Sequence, residues 1–233
     1  MTRVLLVRHG RSTSNAQGTL AGRTPGVALD AVGIAQVSEL ADRLAAVRIT
    51  HLVSSPLQRT METAKIIAKS QPGPSKPKVR REPELLECDY GKWSGKKLKR
   101  LANDPLWPVV QAHPSAVTFP GGESMLGAAT RAIGACRFWA HTGHKQAGSD
   151  AVVVIVSHAD IIKAVLADAL GMHLDMFQRI VIEPASVSIV NYTPLRPFVE
   201  LVNGAPSSLS SLSTARGSDA VVGGGAGRSR KKK

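Results

Sequence analysis

Three apolar runs of strand length punctuate the chain, and each ends on polar residues that a core would not hold. Val4-Leu5-Leu6-Val7 stops at Arg8-His9-Gly10, where a glycine lets the backbone turn out of the strand. Thr50-His51-Leu52-Val53-Ser54 leads into Ser55-Pro56-Leu57-Gln58-Arg59. Ala151-Val152-Val153-Val154-Ile155-Val156 leads into Ser157-His158-Ala159-Asp160. Elsewhere the apolar positions follow a helical period. Behind Asp30, a side chain suited to an N-cap, Val37, Leu40, Ala41 and Leu44 keep the i, i+3, i+4, i+7 spacing of one buried face, which predicts a helix to about Val47.

Ser55 followed by Pro56 predicts a second helix start, with Arg59 in its first turn. Ser124 to Lys145 predicts a long helix, and Ala159 to Leu170 another that buries Ile162, Val165, Leu166 and Ala169 and stops at Gly171. Ser94 to Asn103 reads as a short basic helix, Pro105-Leu106-Trp107-Pro108 as a break, and Gln17–Ala28 and Gln71–Pro83 as loops. Val187–Tyr192 and Pro197–Val202 read as two closing strands. Strands alternating with helices imply an α/β fold, a mostly parallel sheet covered on both faces. Ligands of such sheets bind beyond the strands' C-terminal ends. Arg8, His9, Arg59 and His158 are therefore expected at one edge of one sheet.

Composition narrows the class only in places. The hydrophobic content of 43% and charged content of 20% suit a globular protein, and no apolar run approaches the roughly 18 residues of a membrane span. Arg8 closes the N-terminal run before the core of a signal peptide could form. Cys88 and Cys136 imply no disulfide framework, so a reduced, cytoplasmic protein is expected. A net charge of +13 suits anionic partners. With aromatics at 4%, the stacking platform of a nucleic-acid binder is lacking, and contact with nucleic acid is expected to be at most weak. That weak contact would come from residues 204–233, where Arg216, Arg228, Arg230, Lys231, Lys232 and Lys233 face Asp219 alone. This Ser/Gly/Ala-rich stretch holds too few apolar residues to offset the entropy of ordering, so a basic disordered tail behind a domain of residues 1–203 is expected.

Two arginines and two histidines at one point suit a dianion such as phosphate, to whose oxygens each guanidinium can donate paired hydrogen bonds. Phosphoryl transfer asks for positioning and for positive charge on the equatorial oxygens, which Arg8, Arg59 and His158 could supply. A neutral His9 imidazole could attack phosphorus, and the leaving alkoxide would need a proton from a nearby carboxylic acid. Glu87 and Asp89, on the Gly-bracketed stretch before Trp93, are the candidates. The chain carries no phosphate-binding Gly-x-x-x-x-Gly-Lys-Ser/Thr motif and no evident carboxylate cluster for magnesium, so chemistry without metal or cofactor is expected.

Taken in order, Arg8-His9-Gly10 with Ser12 and Asn15, Ser54-Ser55-Pro56-Leu57-Gln58-Arg59-Thr60 with Thr63-Ala64, Leu86-Glu87 before Gly91 and Trp93-Ser94-Gly95, Pro120-Gly121-Gly122-Glu123-Ser124, and Val156-Ser157-His158 resemble the histidine phosphatase superfamily, in its phosphoglycerate-mutase-like branch. The resemblance covers roughly residues 2 to 203. It implies a three-layer α/β domain with a mostly parallel central sheet, an antiparallel edge strand and helices on both faces. It further implies His9 as the phosphorylated nucleophile, Arg8, Arg59 and His158 around the phosphoryl group, Asn15 as an added hydrogen bond, and Glu87 as the general acid with Asp89 as the fallback. The family often forms dimers, and a homodimer fits the resemblance.

Two departures bear on the substrate. Ala159 stands where the family often has glycine, but its backbone N–H can still donate to a bound phosphoryl group. Only 36 positions separate Glu87 from Glu123, where mutases usually carry a longer lid-like insertion. A shorter lid admits water, which favours a metal-independent phosphatase of a small phosphorylated metabolite over a phosphoglycerate mutase or another phosphomutase. A non-catalytic phosphate-binding module is a third reading, against which both nucleophile and acid stand. Lys92, Lys96, Lys97, Lys99 and Arg100 form a basic group beside the acid-bearing stretch and could meet a second anionic group; a solvated helix face is the plainer account.

Overall fold

The computed structural model describes residues 1–73, 76–204 and 223. In chain order the elements are β1 (Thr2–Arg8), α1 (Thr13–Ala16), α2 (Ala31–Leu44), β2 (His51–Ser54), α3 (Gln58–Ser70), β3 (Val79–Arg81), α4 (Leu98–Leu101), α5 (Trp107–Ala112), α6 (Met125–Ala147), β4 (Ala151–Ser157), α7 (Ala159–Ala169), β5 (Val187–Tyr192) and β6 (Pro197–Gly204). The six strands form one sheet in the order β3-β2-β4-β1-β5-β6. β3, β2, β4 and β1 run parallel, β5 lies antiparallel beside β1, and β6 pairs antiparallel with β5 at the edge. Of the six strands only β5 therefore runs against the others. Of the stretch 204–233 expected to be a disordered basic tail, Gly204 instead closes β6 opposite Val187, and the rest, Gly223 apart, lies outside the described residues.

The central strands β1, β2 and β4 are buried on both faces, residue by residue. Val4, Leu6, Val53, Val153 and Ile155 pack with α6 and α7, while Leu5, Val7, Leu52, Val154 and Val156 pack with α2 and α3. Burial of one such side chain stabilises by roughly 1.5–3 kcal/mol, and a one-residue slip would move every one of them to the wrong face. Register is therefore held by the core, and register positions the strand ends. Arg8 lies opposite Ser157, and Ser54 opposite Val156. Just past these pairs His9 N–H donates to the Ser157 carbonyl at 3.0 Å and Ser55 N–H to the Val156 carbonyl at 3.0 Å. Three segments far apart in sequence leave the sheet side by side.

Local chemistry explains the helix starts. The Asp30 side chain accepts from Gly33 N–H at the head of α2, and Ser124 accepts from Gly127 N–H at the head of α6. α1 arises from a capping box in which Ser12 and Asn15 satisfy each other's backbone N–H. At α3 the expected start at Ser55 is displaced to Gln58, with Leu57 as a cap that offers no side-chain bond. The Ser55 hydroxyl is engaged elsewhere, with His158 at 2.8 Å. The Pro-rich stretches also differ from expectation. Val79–Arg81 pairs with β2 as an edge strand, and Pro108 opens α5 instead of ending structure, because an early helical position needs no N–H.

Gly10 and Gly33 allow the turn after β1 to lie against the head of α2. A Cβ on Gly10 would stand 2.6 Å from the Gly33 carbonyl oxygen, and one on Gly33 would stand 2.0 Å from that of Arg11. No other residue fits at either position.

Candidate active site

The sheet register, the head of α3 and the head of α7 bring four cation-capable side chains together. His9 is buried, and its Nδ1 lies 2.7 Å from the Gly10 carbonyl oxygen. A carbonyl only accepts, so Nδ1 carries the proton and Nε2 keeps its lone pair. That lone pair accepts from Arg59 Nε at 3.2 Å. His158 has the opposite tautomer. Its Nδ1 meets Arg59 Nη2 at 3.2 Å, and since a guanidinium only donates, the proton sits on Nε2 and is given to the Ser55 hydroxyl. The two imidazoles stand edge to face with centroids 5.3 Å apart. Burial first, then the charges of Arg59 and Arg8, hold His9 well below the ordinary histidine range. Burial and Arg59 do the same for His158. His9 is therefore neutral at neutral pH, with its Nε2 unprotonated.

Arg59 is the hub of this group. It lies in the first turn of α3, buried, and also donates from Nη2 to the Gly22 carbonyl at 2.8 Å. Its Nη1 is buried and finds no hydrogen-bond partner among the described residues. A cation at the positive end of a helix, with an unsatisfied buried donor, is arranged for an anion. Arg8 is wholly buried at the end of β1 and donates to the Ile182 carbonyl at 2.8 Å and to the Gly223 carbonyl at 3.3 Å. Burial lowers its pKa to about 10, against the pull of Glu87 and Asp160.

A cavity of about 150 Å³ opens on this cluster, and His9, Asn15, Arg59, Glu87 and Tyr90 share its wall with residues 18–22, Leu98 and Gly223. Asn15 spends its side-chain carbonyl on Ser12 N–H and Oγ, which leaves its amide N–H₂ as the group for a ligand. Arg8 and His158 lie behind this wall, reached through Gly223 and Arg59 respectively. Ala159 is the first residue of α7, so its N–H is among the first-turn donors that the helix itself does not use.

The two candidate carboxylates part company. Glu87 is 4% exposed, and burial foremost, then Asp160, raises its pKa to about 7 although Arg59, the Cys88 N–H and Arg8 pull the other way. Its own Oε1 accepts only from Cys88 N–H, at 3.0 Å. Asp89 turns away, accepts from Gly91 N–H, pairs with Arg23 at 3.8 Å and does not line the cavity. The geometry favours Glu87 as a proton donor.

Some participants were not singled out by sequence. Glu123 accepts from Asp89 N–H, from Arg23 and twice from Arg131, and both arginines also donate to the Glu87 carbonyl. This clasp joins the Pro120-Gly121-Gly122-Glu123 turn to the Glu87 stretch, and Gly122 permits it, since a Cβ there would stand 2.1 Å from the Asp89 carbonyl oxygen. Ser55, read as a cap, orients His158 instead. The basic residues Lys92, Lys97, Lys99 and Arg100 are exposed, yet their segment is pinned to the cavity rim: Leu20 N–H donates to the Lys96 carbonyl and Leu98 N–H to the Gly18 carbonyl, both at 2.9 Å. His51, His113, His141, His144 and His173 lie off the cavity wall.

A family model described as "Histidine phosphatase superfamily (branch 1)" matches residues 4–204. Among curated proteins, the "Probable phosphoglycerate mutase GpmB" of Proteus mirabilis is 30% identical over 198 residues, 82% of this chain and 86% of that protein. "Phosphoserine phosphatase 1" of Hydrogenobacter thermophilus is 29% identical, over 87% of this chain and 92% of that protein. Among solved structures, a mycobacterial glucosyl-3-phosphoglycerate phosphatase superposes with a TM-score of 0.76 at 22% identity, covering 88% of this chain and all of that one, a likeness of fold.

Proposed function

The chain belongs to the histidine phosphatase superfamily (branch 1) and is an enzyme of the phosphatase or phosphomutase type; from that premise we propose that it is a phosphomonoesterase working through a phosphohistidine on His9, with Glu87 as general acid. The observation that carries this reading is the unprotonated Nε2 of a buried, neutral His9, facing the Arg59 guanidinium on the same cavity wall as a buried carboxylic acid. In this reading Arg59 and Asn15 take the phosphoryl oxygens on the cavity wall, and Arg8, His158 and the Ala159 N–H complete the anion site from behind it. His9 Nε2 attacks phosphorus, the bond from phosphorus to the ester oxygen breaks, and Glu87 passes its proton to that oxygen. Water then gives a proton to the Glu87 carboxylate as its oxygen attacks phosphorus. The P–N bond breaks, phosphate leaves, and Glu87 is again an acid.

Hydrolysis, as opposed to return of the phosphoryl group to a second alcohol, is favoured by what covers the cavity. Between Glu87 and Glu123 the chain offers only short helical pieces, the longest being α4, of four residues, and α5, of six. So light a cover leaves the phosphohistidine open to water. Phosphomutase activity is the second reading, favoured by the name of the Proteus relative. The substrate is a small phosphorylated metabolite, and the basic rim of Lys92, Lys96, Lys97, Lys99 and Arg100 suits one with a second anionic group. None of the described helices is long and apolar enough to cross a membrane. Residues 1–203 form the catalytic unit in this reading.

Phosphate release from a panel of phosphomonoesters, with EDTA present, tests the proposal. Turnover by the wild-type chain that vanishes in His9→Ala supports it. Interconversion of phosphoglycerates far faster than phosphate release would replace it with the mutase reading.

A further inference from the structure

Asp160 has no part in the chemistry above, yet it is among the most deeply buried charges in the molecule. It sits in the first turn of α7 with no exposed surface. Its Oδ2 accepts from the Tyr90 hydroxyl at 2.7 Å and from Gly223 N–H at 3.0 Å, while its Oδ1 finds no hydrogen-bond partner among the described residues and faces Lys163 Nζ at 3.5 Å. Lys163 is itself buried, bonded to Gln178 at 2.9 Å and lying over the Phe177 ring. A carboxylate held in this way inside a domain is costly, and its partners show what it does there.

Tyr90 is the informative partner. It lies three residues past Glu87 on the same stretch, buried, with its ring edge-on to Phe119 and its body on the cavity wall. The Tyr90–Asp160 bond is therefore a tie between the acid-bearing loop and the helix that begins at His158. The outer side of that loop is held by Glu123, Arg23 and Arg131; the inner side is held to α7 by this bond, and to the end of β4 by Ser157 Oγ, which donates to the Leu85 carbonyl at 2.9 Å.

We propose that Asp160 is a positioning residue for the reaction: through the Tyr90 hydroxyl it fixes the Glu87 loop over the cavity, and it sets a second negative charge beside that acid. The inference rests on Glu87 being the proton donor. The charged groups around Glu87 are Arg8 from β1, Arg59 from α3 and Asp160 from α7, with Arg23 and Arg131 on its backbone carbonyl. Arg8 and Arg59 favour the ionised acid. Asp160 opposes them, together with burial, so that Glu87 holds its proton up to about pH 7. Lys163 pairs with Asp160 on the side away from Tyr90 and keeps the helix head from carrying an uncompensated charge.

The leaving group reports on this role. An alkyl phosphate expels a strongly basic alkoxide and needs the acid, whereas p-nitrophenyl phosphate expels a stable phenolate and needs it little. Tyr90→Phe removes one oxygen atom and cuts the tie. Asp160→Asn keeps an acceptor for Tyr90 but removes the charge. Both are expected to lower kcat/KM, which covers phosphoryl transfer to His9 and not the later hydrolysis, by about tenfold or more further for an alkyl phosphate than for p-nitrophenyl phosphate. Asp160→Asn is expected, in addition, to move the alkaline limb of the kcat/KM profile to lower pH. Equal losses on both esters, or no loss on either, would overturn the inference, and Tyr90→Phe keeps the test open if Asp160→Asn does not fold. Glu87→Gln, run alongside, separates the two claims. If it shows no preference between the esters, the reading of Glu87 as acid fails. If it spares only the aryl ester and the other two variants behave as wild type, the role of Asp160 alone is lost.

Discussion

The two halves of the site are built on different principles. The phosphoryl half, with Arg8, His9, Arg59 and His158, stands at the ends of β1, β2 and β4 and at the heads of α3 and α7. Its geometry is inherited from strand register, which the buried faces of the sheet enforce. The acid half, with Glu87, Asp89 and Tyr90, lies on irregular chain whose shape depends on hydrogen bonds to Arg23, Arg131, Glu123 and Asp160. A half built on a sheet edge is rigid and tolerant of change at its surface. A half built on a loop is tunable, and sensitive to residues that never meet the substrate.

The largest effect should come from the rigid half. His9→Ala removes the proposed nucleophile and is expected to lower phosphate release by roughly 10⁴-fold or more with little change in melting temperature, checked by single-turnover assays and calorimetry. On the loop half, Glu87→Gln should cost about 10²–10⁴-fold in kcat for alkyl esters, whereas Asp89→Asn should cost less than about threefold. A larger loss for the Asp89 variant would exchange the two roles. Activity should fall as pH rises through about 7, where Glu87 loses its proton, while His9 remains neutral throughout.

The same raised pKa has a consequence for stability. Glu87 favours the folded state in its protonated form, so its contribution is full below about 4.5 and is lost as pH rises through about 7. Melting curves at pH 5 and pH 8 should show this difference in the wild-type chain and a smaller one in Glu87→Gln. Glu123→Gln, which loosens the clasp but leaves the sheet untouched, should cost about 1–2 kcal/mol of stability and a several-fold drop in kcat. The smallest effect is expected at the rim. Reversing two charges among Lys96, Lys97 and Lys99 should raise KM a few-fold for bisphosphates and leave monophosphates unchanged, because exposed charges are screened.

Much of this was legible in the chain. The Val4–Val7 and Ala151–Val156 runs are long, apolar and β-branched, so their identity as strands and the convergence of Arg8, His9 and His158 follow from local pattern and general topology. Asp30 and Ser124 announce their helices because an N-cap is a local device. Ser55 misled for the same reason. It has the side chain of a cap, but the His158 ring, a hundred residues away, claims its hydroxyl.

The residue types and order of the motifs alone determined the α/β class, the family resemblance and the set of candidate groups, since each depends on neighbours within a few positions. The tertiary structure decided which nitrogen of His9 is unprotonated, that Glu87 and not Asp89 faces the cavity, and that Glu123 and Asp160 bond the stretch carrying Glu87 and Tyr90. Those outcomes depend on partners from other elements and on how far each group lies from water. Burial and hydrogen-bond acceptors set protonation and tautomer, and neither is written in a residue's local sequence.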